Sequence, residues 1–520
     1  MFCTICVICG WLCWGLAADD SYTNPIIDAD YSDPDVIRVG DDFYLTASSF
    51  NSIPGLPILH SKDLVNWKII GHALQRQMPE DVFARPQHGN GVWAPSIRFH
   101  NSYFYIFYGD PDFGIYMLKA RNAAGPWSKP LLIRAAKGWI DTCPFWDDDG
   151  NAYLVHAWAN SRSGIKSILT INRMSADGTK LLDDGRMVFD GRVAHPTIEG
   201  PKLYKRNGYY YIFAPAGGVS TGWQTVLRAR NIYGPYEDRI VMDRGNTEIN
   251  GPHQGGWVEL KSGESWFIHF QDRGAYGRIV HLQPVKWKED WPVIGVDRDG
   301  DGKGEPVLRY RKPSVGRKYP VQAPQTSDEF EDELGLQWQW HANPREHWLS
   351  LFARRAWLRL PGVPWPDGAQ NLWAVPNLLL QKFPARVFTA TTFVEPTHLR
   401  NGERSGLVVM GRDYSYLAVA RTSAGLRIVR VNCFDAAKNG AELEAGGVEL
   451  KATAVYLRVS VADDAICQFS YSLDGKRFEL LGDKFKAQPG MWIGAKVGLF
   501  SLAPHGAETH GYADYEWFRF

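Results

Sequence analysis

Between Asp33 and Phe270 the chain repeats one pattern: a short apolar strand, a polar turn carrying Gly, Asn or Asp, and a second strand dense in Tyr, Phe and Ile. The copies are DPDVIRVGDDFYLTAS from Asp33, APSIRFHNSYFYIFYG from Ala94, DTCPFWDDDGNAYLVHA from Asp141, EGPKLYKRNGYYYIFAPAG from Glu199 and PHQGGWVELKSGESWFIHF from Pro252. Each reads as a hairpin. Further strands lie between them, some in a second recurrent form (LPILHSKDLVNW, IYMLKARNAAGPW, TVLRARNIYGPY). Prolines at 34, 95, 144, 201 and 252 are spaced by 61, 49, 57 and 51 residues, the length of a four-stranded propeller blade. Five units of this kind bury their faces only against one another, and closing them in a ring protects the sheet edges. The pattern therefore predicts an all-β chain whose first part is a five-bladed β-propeller, with an irregular β-sandwich as the competing arrangement. Helical periodicity is almost absent.

After the Pro-bearing stretch PSVGRKYPVQAPQ the pattern restarts as TSDEFEDELGLQWQW and changes to simple alternation, as in SGLVVMGRDYSYLAVAR, GLRIVRVN and VYLRVSVADDAICQFSYSLDG. Alternation of this kind predicts antiparallel strands with one polar face, and hence a β-sandwich. The expected organisation is a leader over 1–18, the propeller over 19–318 and the sandwich over 319–520. The first segment, MFCTICVICGWLCWGLAADD, is an apolar run ending in small residues, which reads as a secretory signal cleaved near Ala17 or Ala18 and implies a secreted or periplasmic protein. No Lys or Arg precedes that run, and it is short for a membrane span. Four of seven cysteines lie in it, so Cys143, Cys433 and Cys467 can form at most one disulfide.

Charge narrows the partner. With 57 basic and 57 acidic side chains the chain has no electrostatic footprint for nucleic acid or anionic membrane. Its 13% aromatic content suits strands and suits stacking on sugar rings equally well.

The repeat then sorts the acidic residues. Asp33 precedes the first strand of unit one, Asp141 holds the matching place in unit three, and Glu199 lies one residue earlier in unit four. All three would ring one mouth of the central channel. Asp41, Asp42 and Asp147 to Asp149 fall in hairpin turns and are expected to be solvated and replaceable. Asp35 is the alternative to Asp33. Converging carboxyls in an aromatic-rich cavity suit hydrolysis of a glycosidic bond: one carboxyl protonates the leaving oxygen, another activates water or attacks carbon, and a third tunes the acid by repulsion.

In order along the chain, YSDPDVIRVGDDFYL, SSFNSIPGLPILHSKDLVNW, GVWAPSI, DTCPFWDDDGNAYL, TIEGPKLY and GAYGRIVHLQPVKW resemble the landmarks of glycoside hydrolase family 43 over residues 24–318. The resemblance implies a five-bladed propeller and an inverting enzyme with Asp33 as general base, Glu199 as general acid and Asp141 as pKa modulator. Asp141 departs from the usual Asp-Pro pair, since Thr142 follows it. For inversion the Asp33 and Glu199 carboxyls should stand roughly 6.5–9.5 Å apart, leaving room for water. Phe50, Trp93 and Arg278 match substrate-contacting positions, against the plainer readings of core aromatics and a surface ion pair. His253 matches a channel histidine that some relatives place near calcium, or is a structural hydrogen-bonder.

No cofactor is required on this reading, and a structural Ca2+ is the one metal it leaves open. A second candidate, DRDGDGKGEPVL from Asp297, opens like a calcium loop but has Leu308 where a bidentate Glu is needed. The C-terminal sandwich resembles the lectin-like, concanavalin-like module of family β-xylosidases and arabinofuranosidases. The implied activity is release of terminal α-L-arabinofuranose, with β-D-xylose next, from plant hemicellulose such as arabinoxylan or xyloglucan. An endo-arabinanase and a non-catalytic carbohydrate-binding propeller are the alternatives.

Overall fold

A computed structural model describes residues 20–508 and 510–520. The expected leader, 1–18, lies outside them. Five antiparallel four-stranded sheets form the first part. Their innermost strands are Asp35–Val39, Trp93–His100, Trp139–Trp146, Lys202–Arg206 and His253–Glu259, and each runs outward through three more strands in chain order.

The cores sit between blades. In the second blade Ile106 and Tyr108 pack with Ile58 and Leu74 of the first, whereas Tyr105 and Phe107 pack with Leu154 of the third. Corresponding clusters join blades three and four, four and five, and five and one. Period-two side chains thus bury both faces of every sheet, which is why these strands read as apolar runs. Phe107 is fully buried, and Phe107→Ala is expected to cost about 3–5 kcal/mol in urea unfolding.

The two ends of the propeller part meet. Ser21–Thr23 pairs antiparallel with Arg309–Arg311, and the Asn24 amide donates to the Leu282 and Val307 carbonyls. The second part is a sandwich of an eight-stranded and a seven-stranded sheet. It docks on the propeller through reciprocal backbone bonds between Ile53 and Trp340 and through Asn343, whose side chain brackets the Gln77 backbone. Cys143, Cys433 and Cys467 are all buried and free. Among the described residues no helix is long and apolar enough to cross a membrane.

Two expectations need correcting. Asp147 does not sit solvated in its turn: its side chain is buried and accepts from the Lys205 ammonium, the Tyr210 phenol and the Asp148 amide. Burial works against the charge, but these donors hold its carboxyl below the usual range. Asp141, moreover, interrupts its strand rather than preceding it, at a register shift between Ile140 and Cys143. A bulge there re-aims the side chain.

Candidate active site

One pocket of about 150 Å³ takes residues from every blade and one from the sandwich: Asp33, Phe50, Trp93, Ala94, Ile140, Asp141, Glu199, Val219, Gln254, Arg278 and Trp492. Six of these eleven, Asp33, Phe50, Ala94, Asp141, Gln254 and Trp492, are non-glycine residues with φ between 22° and 65°. Backbone in that region costs of order 1–3 kcal/mol per residue, so strain is concentrated where the side chains converge.

Asp33 is buried and fully engaged. Its Oδ2 accepts from Ser48 Oγ at 2.6 Å and its Oδ1 from Arg278 Nη1 at 3.0 Å. Arg278 is itself 7% exposed, with its guanidinium against the Phe270 ring. The surface ion pair allowed by the sequence is therefore a buried one, aimed at Asp33.

Asp141 Oδ2 accepts the Gly200 N–H at 2.8 Å and faces the Gln254 amide at 3.4 Å. Gly200 has φ of 59°, and a Cβ on it would stand 2.7 Å from the Gln254 side chain, so glycine alone lets this amide reach Asp141. Burial first, then the charges of Glu199 and Asp33, push the Asp141 carboxyl well above the ordinary range; the Gly200 N–H and the Lys202 ammonium pull the other way. Asp141 therefore favours its neutral form, because burial and nearby like charge both disfavour ionisation.

Glu199 is the most accessible of the three, its side chain 30% exposed. Its Oε1 lies 2.9 Å from Nε2 of the fully buried His253, and its side chain lines the pocket. His253 thus stands behind Glu199 rather than on the pocket wall, with Nδ1 buried and unpartnered. Calcium prefers oxygen ligands. Among the described residues the three acidic groups close enough to share an ion are Asp297, Asp299 and Asp301, on an exposed loop, and not a set around His253.

Phe50, Trp93 and Trp492 are the aromatic wall. The Trp93 indole donates to the Gly89 carbonyl, and its ring meets Trp492 edge-on at 6.4 Å. Asp35 is elsewhere: it accepts from Arg98 and the Ile97 amide and ties blade one to blade two. Sequence reasoning missed Gln254, whose neighbour His253 marked the spot, and Trp492, whose surroundings in MWIGAK give no hint of a site.

Residues 22–292 match the model of glycosyl hydrolases family 43, and residues 327–520 match that of the beta xylosidase C-terminal concanavalin A-like domain. A putative beta-xylosidase of Xylanibacter ruminicola is 42% identical over 94% of this chain and 88% of its own. The non-reducing end alpha-L-arabinofuranosidase BoGH43B of Bacteroides ovatus is 28% identical over 98% and 96%. The crystal structure of the GH43 protein BlXynB from Bacillus licheniformis superposes with a TM-score of 0.82 at 28% identity, covering 96% of this chain and 99% of that one. The chain belongs to glycoside hydrolase family 43.

Proposed function

We propose that the protein is an exo-acting, inverting β-D-xylosidase, with α-L-arabinofuranosidase activity second, acting on hemicellulose oligosaccharides of the plant cell wall. This reverses the order expected from the sequence, because the most similar relative reported above carries the β-xylosidase name and the arabinofuranosidase is more distant. The observation that carries the reading is the meeting of Asp33, Asp141 and Glu199 in one small pocket walled by Phe50, Trp93 and Trp492. A volume of about 150 Å³ suits a terminal sugar ring better than a threaded polymer.

In this mechanism Asp33, oriented by Ser48 and Arg278, takes a proton from water as the water attacks the anomeric carbon. Glu199 Oε2 donates to the departing oxygen from the opposite side. Asp141, forced by its surroundings to favour the neutral form, holds the Gly200 amide and with it the neighbouring Glu199, and orients sugar hydroxyls. Aromatic faces supply apolar contact for the ring's C–H groups.

Parallel assays on 4-nitrophenyl β-D-xyloside and α-L-arabinofuranoside test the substrate. The expected result is faster xyloside turnover, with NMR showing the free sugar released first as the α-anomer. Retention of the β-configuration would sink the inverting assignment, and inactivity on both would favour a binding role.

A further inference from the structure

Three sandwich residues within five positions reach the propeller side of the site. Trp492 lines the pocket, the Gly494 N–H donates to Asp30 Oδ2 at 2.9 Å, and Lys496 Nζ donates at 2.6 Å to Ser52 Oγ, two residues from Phe50. Asp30 is 3% exposed, and its other oxygen, Oδ1, accepts the backbone N–H of Arg278 at 2.9 Å. Arg278 then spends Nη1 on Ser32 and Asp33. The turn leading to Arg278 is also gripped by the sandwich. The Tyr276 ring belongs to the sandwich core, its hydroxyl accepts the Ala465 N–H at 2.8 Å, and the Ala495 N–H donates to the Ala275 carbonyl at 2.7 Å.

The close approach is specified by glycine. A Cβ on Gly277 would lie 2.4 Å from the Asp30 carboxyl carbon, and one on Gly494 would lie 2.7 Å from the Gly277 nitrogen. With both side chains absent, a single carboxylate accepts one N–H from each domain. An amide in its place offers one acceptor oxygen and an NH2 that cannot accept.

We infer that Asp30 is a positioning residue: it joins the sandwich segment carrying Trp492 to the Arg278 backbone, so that sandwich docking fixes the guanidinium that orients Asp33. This rests on the roles given to Asp33 and Arg278 in the proposed mechanism. Asp30 does not line the pocket. It acts through Arg278, and misplacing a group by about 1 Å can cost on the order of 100-fold in rate.

A double-mutant cycle separates this from a merely structural role. Wild type, Asp30→Asn, Arg278→Met and the double mutant are compared for kcat and KM on whichever of the two 4-nitrophenyl pentosides the wild type hydrolyses. Asp147→Asn, outside the site, controls for general destabilisation. Asp30→Asn is expected to lower kcat about 10- to 100-fold, and the double mutant to be no slower than Arg278→Met alone, because nothing is left to position. Asp147→Asn combined with Arg278→Met should show only the product of the separate effects. Wild-type kcat in folded Asp30→Asn would overturn the proposal, as would Asp30 and Arg278 effects that simply multiply. A kinetically silent Arg278→Met would instead remove Arg278 from the machinery, overturning the underlying site reading and the proposal with it. If Asp30→Asn does not accumulate folded, Tyr276→Phe enters the same cycle with the same outcomes, since it removes only the hydroxyl that anchors the turn.

Discussion

Asp33→Ala is expected to lower kcat/KM by about 10²- to 10⁴-fold, the usual contribution of a positioned general base. The loss should be similar for a 4-nitrophenyl xyloside and for xylobiose. The base works on the incoming water, so the quality of the leaving group does not relieve its absence. No neighbour can take over: Asp35 is two residues away but is committed to Arg98 and the Ile97 amide. Removing the Asp33 carboxylate also leaves the buried Arg278 guanidinium without its anion, so some stability is lost, and activity must be normalised to folded protein. Turnover close to wild type would end the assignment of Asp33 as base.

How far the sequence carried the reading depended on recurrence. The five hairpins were legible because each blade repeats the same alternation, and radial packing of Phe104 to Tyr108 against two neighbouring blades is that alternation realised in space. Asp33 and Glu199 were legible as residues just ahead of the innermost strands. Asp147 was misread because a turn position says nothing about what packs over it; Lys205 and Tyr210 do so from the next blade. The place of Asp141 was off because a bulge is an exception to alternation. Trp492 could not be found at all. It reaches the pocket only through the docking of a second domain some 200 residues further on, and no local pattern encodes its contact with Trp93.

The second large effect separates acid from base. Glu199→Gln keeps the size of the side chain and an oxygen or amide for His253 Nε2, so the pocket should survive. What it removes is a transferable proton. For a substrate whose leaving group departs readily as an anion, such as 4-nitrophenolate, that proton matters little, and a modest fall is expected. For xylobiose or an alkyl xyloside the departing alkoxide needs it, and the rate should fall by about 10²- to 10⁴-fold. Asp141 does not replace it: whenever Glu199 is ionised its charge, after burial, helps hold the Asp141 carboxyl neutral, and a neutral Gln withdraws that contribution, so Asp141 is less often protonated and does not restore the missing donor. An equal loss on both leaving groups would assign Glu199 to binding or orientation instead, because only a proton donor makes the cost of its removal depend on the basicity of the oxygen that leaves.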